Sequence, residues 1–390
     1  MDRRAIVLDN GTGFIKAGYA GANFPTTVFQ TAVGRPILRS GLKHNITKDL
    51  KDVMRGDETN EIGHLLEMKY PVKNGIIQDV DEMSLLWDYV FHEKMKEDPT
   101  QRRLMLSEVP IFSNRHRAKL YEVMFEKYGF QAIQSSPQGI LSLFSNGLET
   151  GVAVECGEGV THCTPIFEGY SIPKGNRRVD LGGRNITEFL IRLMQRRGYS
   201  FNKSSDFETV RAIKEMFCYA AVDQKLEKKL ALETTVLEKA FTLPDGSSCK
   251  IGQERFEAPE ALFQPHLIDV ESDGLSLQVW NCIQAADIDV RSRLYEHVVL
   301  SGGSTMFPGL SSRLERDMKE LFLEKAVKGD RSRLGRFNLR IEDPPRRKHM
   351  VFLGGAVMAQ LTEEIEENWM SKGEWAEGGL SAIKARFGGS

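Results

Sequence analysis

Residues 5–13 read Ala5-Ile6-Val7-Leu8-Asp9-Asn10-Gly11-Thr12-Gly13, and residues 151–159 read Gly151-Val152-Ala153-Val154-Glu155-Cys156-Gly157-Glu158-Gly159. Each is a short apolar run that closes on an acid, one further residue, and two glycines at alternate positions. A second β-like run follows each, Phe14 to Tyr19 and Val160 to Phe167. Apolar runs of this length bounded by glycine read as buried strands joined by a tight turn. Two copies 146 residues apart predict a duplicated lobe, not a short-period solenoid.

Outward from these hairpins, His297-Val298-Val299-Leu300-Ser301-Gly302-Gly303-Ser304 gives a third strand-to-glycine step, and Met350-Val351-Phe352-Leu353-Gly354-Gly355 a fourth. Helical patterns lie between. Met83, Leu86, Trp87, Val90 and Phe91 fall on one face behind the acidic start Asp79-Val80-Asp81. Ser205 and Glu208 form a capping box ahead of Phe207, Val210, Ile213 and Phe217. Leu310, Leu314, Met318 and Leu321 make another stripe, with Gly329 placed to end it. Strands alternating with helices predict an α/β chain with largely central sheets. Residues 39–61 are polar with little periodicity and read as a protruding, mobile segment. Residues 325–348 hold nine Lys/Arg and three acids, a local charge of +6, which suits either a solvated helix end or a docking patch for an acidic partner.

Composition narrows the classes. The 390 residues, at ~150 per domain, predict two or three lobes, and 41% apolar residues can bury a large core. Lys and Arg number 52 against 54 acids, so no global field draws the chain to nucleic acid or anionic lipid. Cys156, Cys163, Cys218, Cys249 and Cys282 contain no CxxC and read as reduced thiols of an intracellular protein. No run reaches the ~18 apolar residues of a membrane span, and the start Met1-Asp2-Arg3-Arg4 has no apolar signal region.

The chain lacks GxxxxGK[ST] and any GxGxxG opening a helix, so neither a P-loop nor a dinucleotide fold is expected. A hairpin turn with alternate glycines instead lets backbone N–H groups approach an anion closely. Asp9 and Glu155, at the strand ends, are poised for a hydrated Mg²⁺, which takes carboxylate, water and phosphate oxygens. Lys16 projects from the second strand and can pair with phosphate. Taken singly, each turn also reads as an ordinary exposed β-turn.

With these residues in view, the sequence resembles the actin family over nearly its whole length. Asp9 to Gly21 resembles that family's first phosphate loop. Val33-Gly34-Arg35-Pro36 and Lys69-Tyr70-Pro71 follow in register, and Gly302 to Gly309 resembles its nucleotide-capping loop. Asn74-Gly75-Ile76-Ile77, Arg255 to His266, Arg340 to Met350 and Trp369 to Trp375 stand closer to the actin-related branch than to actin itself. The resemblance implies a duplicated actin-like ATPase fold: two large lobes, each with a small subdomain, around a cleft holding ATP and Mg²⁺. It implies subdomain 1 at 1–33, 70–145 and 340–390, and subdomain 2 at 34–69. Subdomain 3 would lie at 146–181 and 275–339, and subdomain 4 at 182–274.

By position, the resemblance implies nucleotide contacts from Gly11, Thr12, Gly13, Lys16, Gly157, Glu158, Gly159, Val160, Arg211, Lys214, Glu215, Gly303, Ser304, Met306, Phe307 and Lys348. Asp9 and Glu155 would face the metal, and Gln138 and His162 would orient the attacking water. Without it, Lys214 and Glu215 read as an exposed helix face, His162 as a structural imidazole, and Met306 as packing. The family's Asp-Ser-Gly-Asp-Gly is here Glu155-Cys156-Gly157-Glu158-Gly159. An added methylene moves a carboxylate by roughly 1.5 Å, where Mg²⁺ tolerates little. Ser107 replaces a family threonine, Pro137 and Gly139 flank Gln138, and Gly182-Gly183-Arg184-Asn185 stands for Ala-Gly-Arg-Asp. ATP binding with slow or absent hydrolysis is therefore expected.

The function implied is that of a cytoplasmic, cytoskeletal subunit pairing with actin-related protein 3 and further subunits of the branched-actin nucleation complex. Actin and acidic nucleation-promoting factors would be partners, with no nucleic acid and no membrane insertion. A conventional filament-forming actin-like protein and a small-molecule kinase of the same superfamily are the alternatives.

Overall fold

A computed structural model of the chain describes residues 4–37, 51–59, 66–110, 113–202, 204–243 and 246–387. The chain divides into two compact units, Met1–Glu149 with His349–Ser390, and Thr150–Lys348.

In the first unit a six-stranded sheet runs in the order Met370–Ser371, Ala132–Pro137, Arg103–Glu108, Ile6–Asn10, Phe14–Tyr19, Thr27–Gln30. Ile6–Asn10 and Phe14–Tyr19 form the expected antiparallel hairpin, with Asp9 opposite Lys16. Arg103–Glu108 pairs parallel to Ile6–Asn10 on its other side. Helix Val80–Asp88 begins at Asp79, whose carboxylate accepts the N–H groups of Asp81 and Glu82, and the predicted face Met83, Leu86, Trp87, Val90 and Phe91 is buried. A small hairpin, Val72–Lys73 with Ile76–Ile77, is closed by Asn74 and Gly75 at φ 49° and 76°. These are the two left-handed positions that a two-residue type I′ turn demands, and Asn-Gly is its preferred sequence.

The second unit repeats the plan. Gly151–Cys156 and Thr161–Phe167 form an antiparallel hairpin, with Glu155 opposite His162. Val298–Ser301 lies parallel to Gly151–Cys156 and puts Ser301 beside Glu155. The offset of 146 residues thus carries Asp9 onto Glu155 and Lys16 onto His162. Helices Gly183–Arg196, Ser204–Phe217, Leu275–Gln284 and Leu310–Leu321 pack on this sheet and on one another through a core that includes Ile186, Leu190, Val210, Val279, Leu310 and Leu314. Gly329, at φ 90°, follows the end of the last helix.

Three expectations need correction. Met350–Leu361 is a helix, not a strand. A short apolar run fits a buried strand and a buried helix equally, and what decides here is Gly354. A Cβ there would lie 1.8 Å from the Leu141 carbonyl oxygen, so Met350–Leu361 and helix Gln138–Phe144 approach backbone to backbone. Residues 340–348 belong to the second unit, because Ile341–Glu342 pairs parallel with Val298–Ser301. Of the polar stretch 39–61, residues 39–50, 60 and 61 lie outside the described residues. Its remainder is no loose segment: Met54–Arg55 pairs with Val33–Pro36, and Met54 and Thr59 are buried. The capping box at Ser205 rests on a side chain outside those described; the helix itself starts at Ser204.

Among the described residues no helix is long and apolar enough to cross a membrane. All five cysteines are buried free thiols.

Candidate nucleotide site

Asp9, next to last in its strand, is only 2% exposed. Three donors from three elements converge on it: Lys16 Nζ at 2.9 Å, Ser107 Oγ at 2.6 Å and Gln138 Nε2 at 3.4 Å. Lys16 comes from the opposed strand, Ser107 from the parallel neighbour, and Gln138 from the first turn of its helix. Their hydrogen bonds fix the orientation of the carboxylate. The turn beyond it is fixed through its carbonyls. Thr31 donates its hydroxyl to the Gly11 oxygen at 2.8 Å and its N–H to the Gly13 oxygen at 3.0 Å. Gly75 N–H donates to Thr12 Oγ1 at 2.9 Å and ties the Asn-Gly turn to the hairpin. Gly11 has no room for a side chain, since a Cβ would sit 2.6 Å from the Phe14 carbonyl oxygen.

In the second unit Glu155 is 6% exposed and His162 1%. Both ring nitrogens of His162 are buried without a hydrogen-bond partner among the described residues. Burial, and then the charge of Arg178, push this imidazole down to about 3 from its ordinary 6.5. It is neutral at physiological pH, able to accept or donate one hydrogen bond to a bound water. An unfolded chain protonates this residue near 6.5 and the folded one only near 3, so its stabilising contribution is present above 6.5 and lost as pH falls toward 3. The unfolding temperature is therefore expected to drop between pH 7 and 5, with a shallower slope in His162→Gln; thermal melts across that range check it.

The glycine turn after Glu155 is clamped from behind. Gly157 oxygen accepts Ser304 Oγ at 2.8 Å and Gly183 N–H at 2.9 Å, and Glu158 oxygen accepts Arg184 N–H at 2.8 Å. The first N–H groups of helix Gly183–Arg196 are thereby satisfied by the turn itself. Gly182 explains one departure from the family pattern. A Cβ there would lie 2.5 Å from the Glu158 carbonyl oxygen, so the turn and the helix start could not touch as they do. Cys156 is wholly buried and its thiol is pushed up to about 12, chiefly by desolvation, so it stands as a neutral, weak donor.

Lys214 is not on an exposed face. It is 4% exposed and donates to the Gly183 oxygen at 2.8 Å. Desolvation lowers its pKa, and the charges of Glu158 and Glu215 oppose that. An ideal Cβ on Gly183 would lie 2.7 Å from both Glu158 Oε2 and Ser304 Oγ and 3.2 Å from Lys214 Nζ. These three side chains therefore converge over the helix start, and only glycine leaves them space. Glu215 is exposed and pairs with Arg211 at 3.1 Å, while Arg211 also holds Glu208 at 3.0 Å. Gly303 and Ser304 lie in a short turn that Arg347 holds, its guanidinium donating to the Thr305 oxygen and its own carbonyl accepting Gly302 N–H at 2.9 Å. Met306 and Lys348 stand exposed nearby in sequence, whereas Val160 and Phe307 are buried, Phe307 within the core.

Sequence reasoning gave no role at the site to Asn10, Trp87, Thr31, Ser301 or Arg347. Asn10 Oδ1 accepts Trp87 Nε1–H at 3.1 Å, and its Nδ2 is buried without a partner among the described residues. Its place inside the acid-x-Gly motif was the available signal. Thr31 and Arg347 act on the turns through backbone atoms, which no side-chain pattern announces. Among the described residues no three His, Cys, Asp or Glu side chains form a ready metal cage. Asp9 and Glu155, one buried carboxylate in each unit, are oxygen donors of the kind Mg²⁺ takes alongside several waters.

The profile of the family described as Actin matches residues 1–388. Actin-related protein 2 of Drosophila melanogaster is 52% identical over 387 residues, covering 98% of this chain and 97% of the relative. The proteins of the same name from Acanthamoeba castellanii and Caenorhabditis briggsae are each 50% identical, over 384 and 389 residues, and cover 98% and 99% of this chain and 99% and 98% of their own lengths. Together with the duplicated acidic hairpins, this full-length likeness means that the chain belongs to the actin family.

Proposed function

We propose that the chain is an ATP- and Mg²⁺-binding subunit of an actin-nucleating assembly, pairing with actin-related protein 3 to imitate a filament end. It is a structural component and not primarily an enzyme. The observation that carries the nucleotide reading is the repeated buried acid beside a glycine turn, with the carbonyls of Gly11 and Gly13 in one turn and of Gly157 and Glu158 in the other engaged by neighbouring donors. The assembly role rests on the likeness, at about half identity over the full length, to proteins named actin-related protein 2.

Each acidic turn contributes to the nucleotide. Asp9 in the first unit and Glu155 in the second are the carboxylates that would face a hydrated Mg²⁺, which when bound would neutralise phosphate charge. Lys16 and the turn N–H groups take phosphate oxygens. Lys214, Glu215, Arg211, Gly303, Ser304, Met306 and Lys348 serve the ribose and base. Gln138 and His162 orient water. Gln138 already spends its amide on Asp9, and Glu155 is one methylene longer than the family's aspartate, so hydrolysis is slow. The four subdomains are those the family pattern gives, save that 340–348 go with the second unit.

Native purification followed by mass spectrometry tests the assembly role. Co-purification with actin-related protein 3 and small scaffold subunits supports it; recovery as a self-associated polymer without them overturns it. The basic stretch supplies a second test. Arg331, Arg333 and Arg336 lie on an exposed 3-10 segment, with Arg333 paired only at 3.3 Å to Asp330 among the described residues. Exposed pairs of this kind are worth ~0–1 kcal/mol, which leaves the arginines available to an acidic partner. Reversing all three to glutamate is expected to weaken binding of an acidic activator at least ~10-fold in moderate salt without lowering the melting temperature. Unchanged binding would remove this patch from the account.

A further inference from the structure

We propose that Arg117 and Phe387 are positioning residues for Asp9, acting through the end of strand Arg103–Glu108; this rests on the nucleotide-binding reading above. Ser107 and Glu108 are successive residues of that strand, so their side chains leave opposite faces. Ser107 holds Asp9 at 2.6 Å. Glu108, 3% exposed, is gripped by both arms of Arg117, Nε to Oε1 at 2.8 Å and Nη2 to Oε2 at 2.6 Å. Asn114 Oδ1 accepts the third arm at 2.5 Å. The peptide between Ser107 and Glu108 therefore cannot rotate without breaking either the Asp9 contact or a buried two-armed ion pair.

The attraction within an ion pair weakens as water reaches it. The lid over this one is the Phe387 ring, whose centroid lies 4.1 Å from Arg117 Cζ. Phe387 ends helix Leu380–Phe387, which is anchored by Ile383, 0% exposed, and by Arg386 donating to the Glu367 oxygen at 2.7 Å. Its ring also meets Tyr121 edge-on at 6.4 Å. The chain of contacts thus runs from the last described helix through Arg117, Glu108 and Ser107 to the carboxylate that faces the metal.

The test uses the full chain in its native assembly and a fluorescent ATP analogue, whose release rate is measured with and without saturating Mg²⁺. Phe387→Ala should speed release in Mg²⁺ on the order of tenfold, the size of one cation–π contact, and change release without Mg²⁺ little. Phe387→Tyr, which restores the ring, should recover the wild-type rate. In an Asp9→Asn background Phe387→Ala should add nothing further, since the group it positions is no longer charged. Arg117→Lys keeps the charge and loses the fork, and should show the same Mg²⁺-specific effect should Phe387→Ala fail to fold. Equal acceleration with and without Mg²⁺, full additivity with Asp9→Asn, or no effect of either variant overturns the proposal. A wild type that binds the analogue while both variants match it sinks this inference alone. A wild type that never binds it sinks the nucleotide reading, and this proposal with it.

Discussion

Asp9→Asn is expected to weaken Mg²⁺-ATP binding about 10²-fold, the upper range for losing a group that orients a metal shell. The sign of its effect without metal is different. Asp9 now neutralises Lys16 at 2.9 Å. Removing its charge frees that ammonium for phosphate, so affinity for metal-free ATP should hold or rise. Simple misfolding would lower both. Asn is nearly isosteric and can still accept from Ser107, so the hairpin itself should persist. Equilibrium titrations with ATP, in Mg²⁺ and in chelator, separate the two outcomes. Equal losses in both would show that Asp9 acts on the fold and not on the metal.

Glu155→Asp is expected to raise single-turnover hydrolysis of bound ATP by on the order of 10²-fold, the scale set by a misplacement of ~1 Å at a reacting centre. Glu155 is 6% exposed, beside Ser301 and opposite His162. Its neighbours are backbone-fixed strands, so the longer side chain has to be accommodated at its carboxylate end. Shortening it restores the family's reach while keeping the charge. Glu155→Gln is the control, because it keeps the length and loses the charge, and it should not accelerate hydrolysis. Quenched-flow assay of a prebound nucleotide checks both. Hydrolysis in the unaltered chain at a rate typical of conventional actins would contradict the premise.

Much of this architecture was legible in the sequence because its strongest signals are local and periodic. The acid-glycine hairpins, the buried stripe from Met83 to Phe91, and that of Leu310, Leu314 and Met318 all follow from spacing alone. The run at Met350 reads equally as strand or helix because it is apolar at every position but Gln360 and shows no period; the 1.8 Å that a Gly354 Cβ would leave to the Leu141 oxygen shows what the glycine serves, a close contact between helices. Helical spacing alone reads Lys214 as exposed; its burial depends on a carbonyl 31 residues away. Gly182 shows the same limit. Its departure from alanine meant nothing until the Glu158 carbonyl was found where a methyl would stand. Asp9 was identified, yet its three donors come from residues 16, 107 and 138, and no local pattern links them.

The central claim is that a buried acid at the end of a glycine-turned strand, present once in each unit, holds ATP through Mg²⁺. Calorimetric titration of the purified native assembly with ATP tests it most directly, with and without the cation. The account predicts saturable uptake by this chain that tightens steeply when Mg²⁺ is added and loses that dependence in Asp9→Asn. Absence of nucleotide uptake in Mg²⁺, or uptake indifferent to both the cation and Asp9, would contradict it.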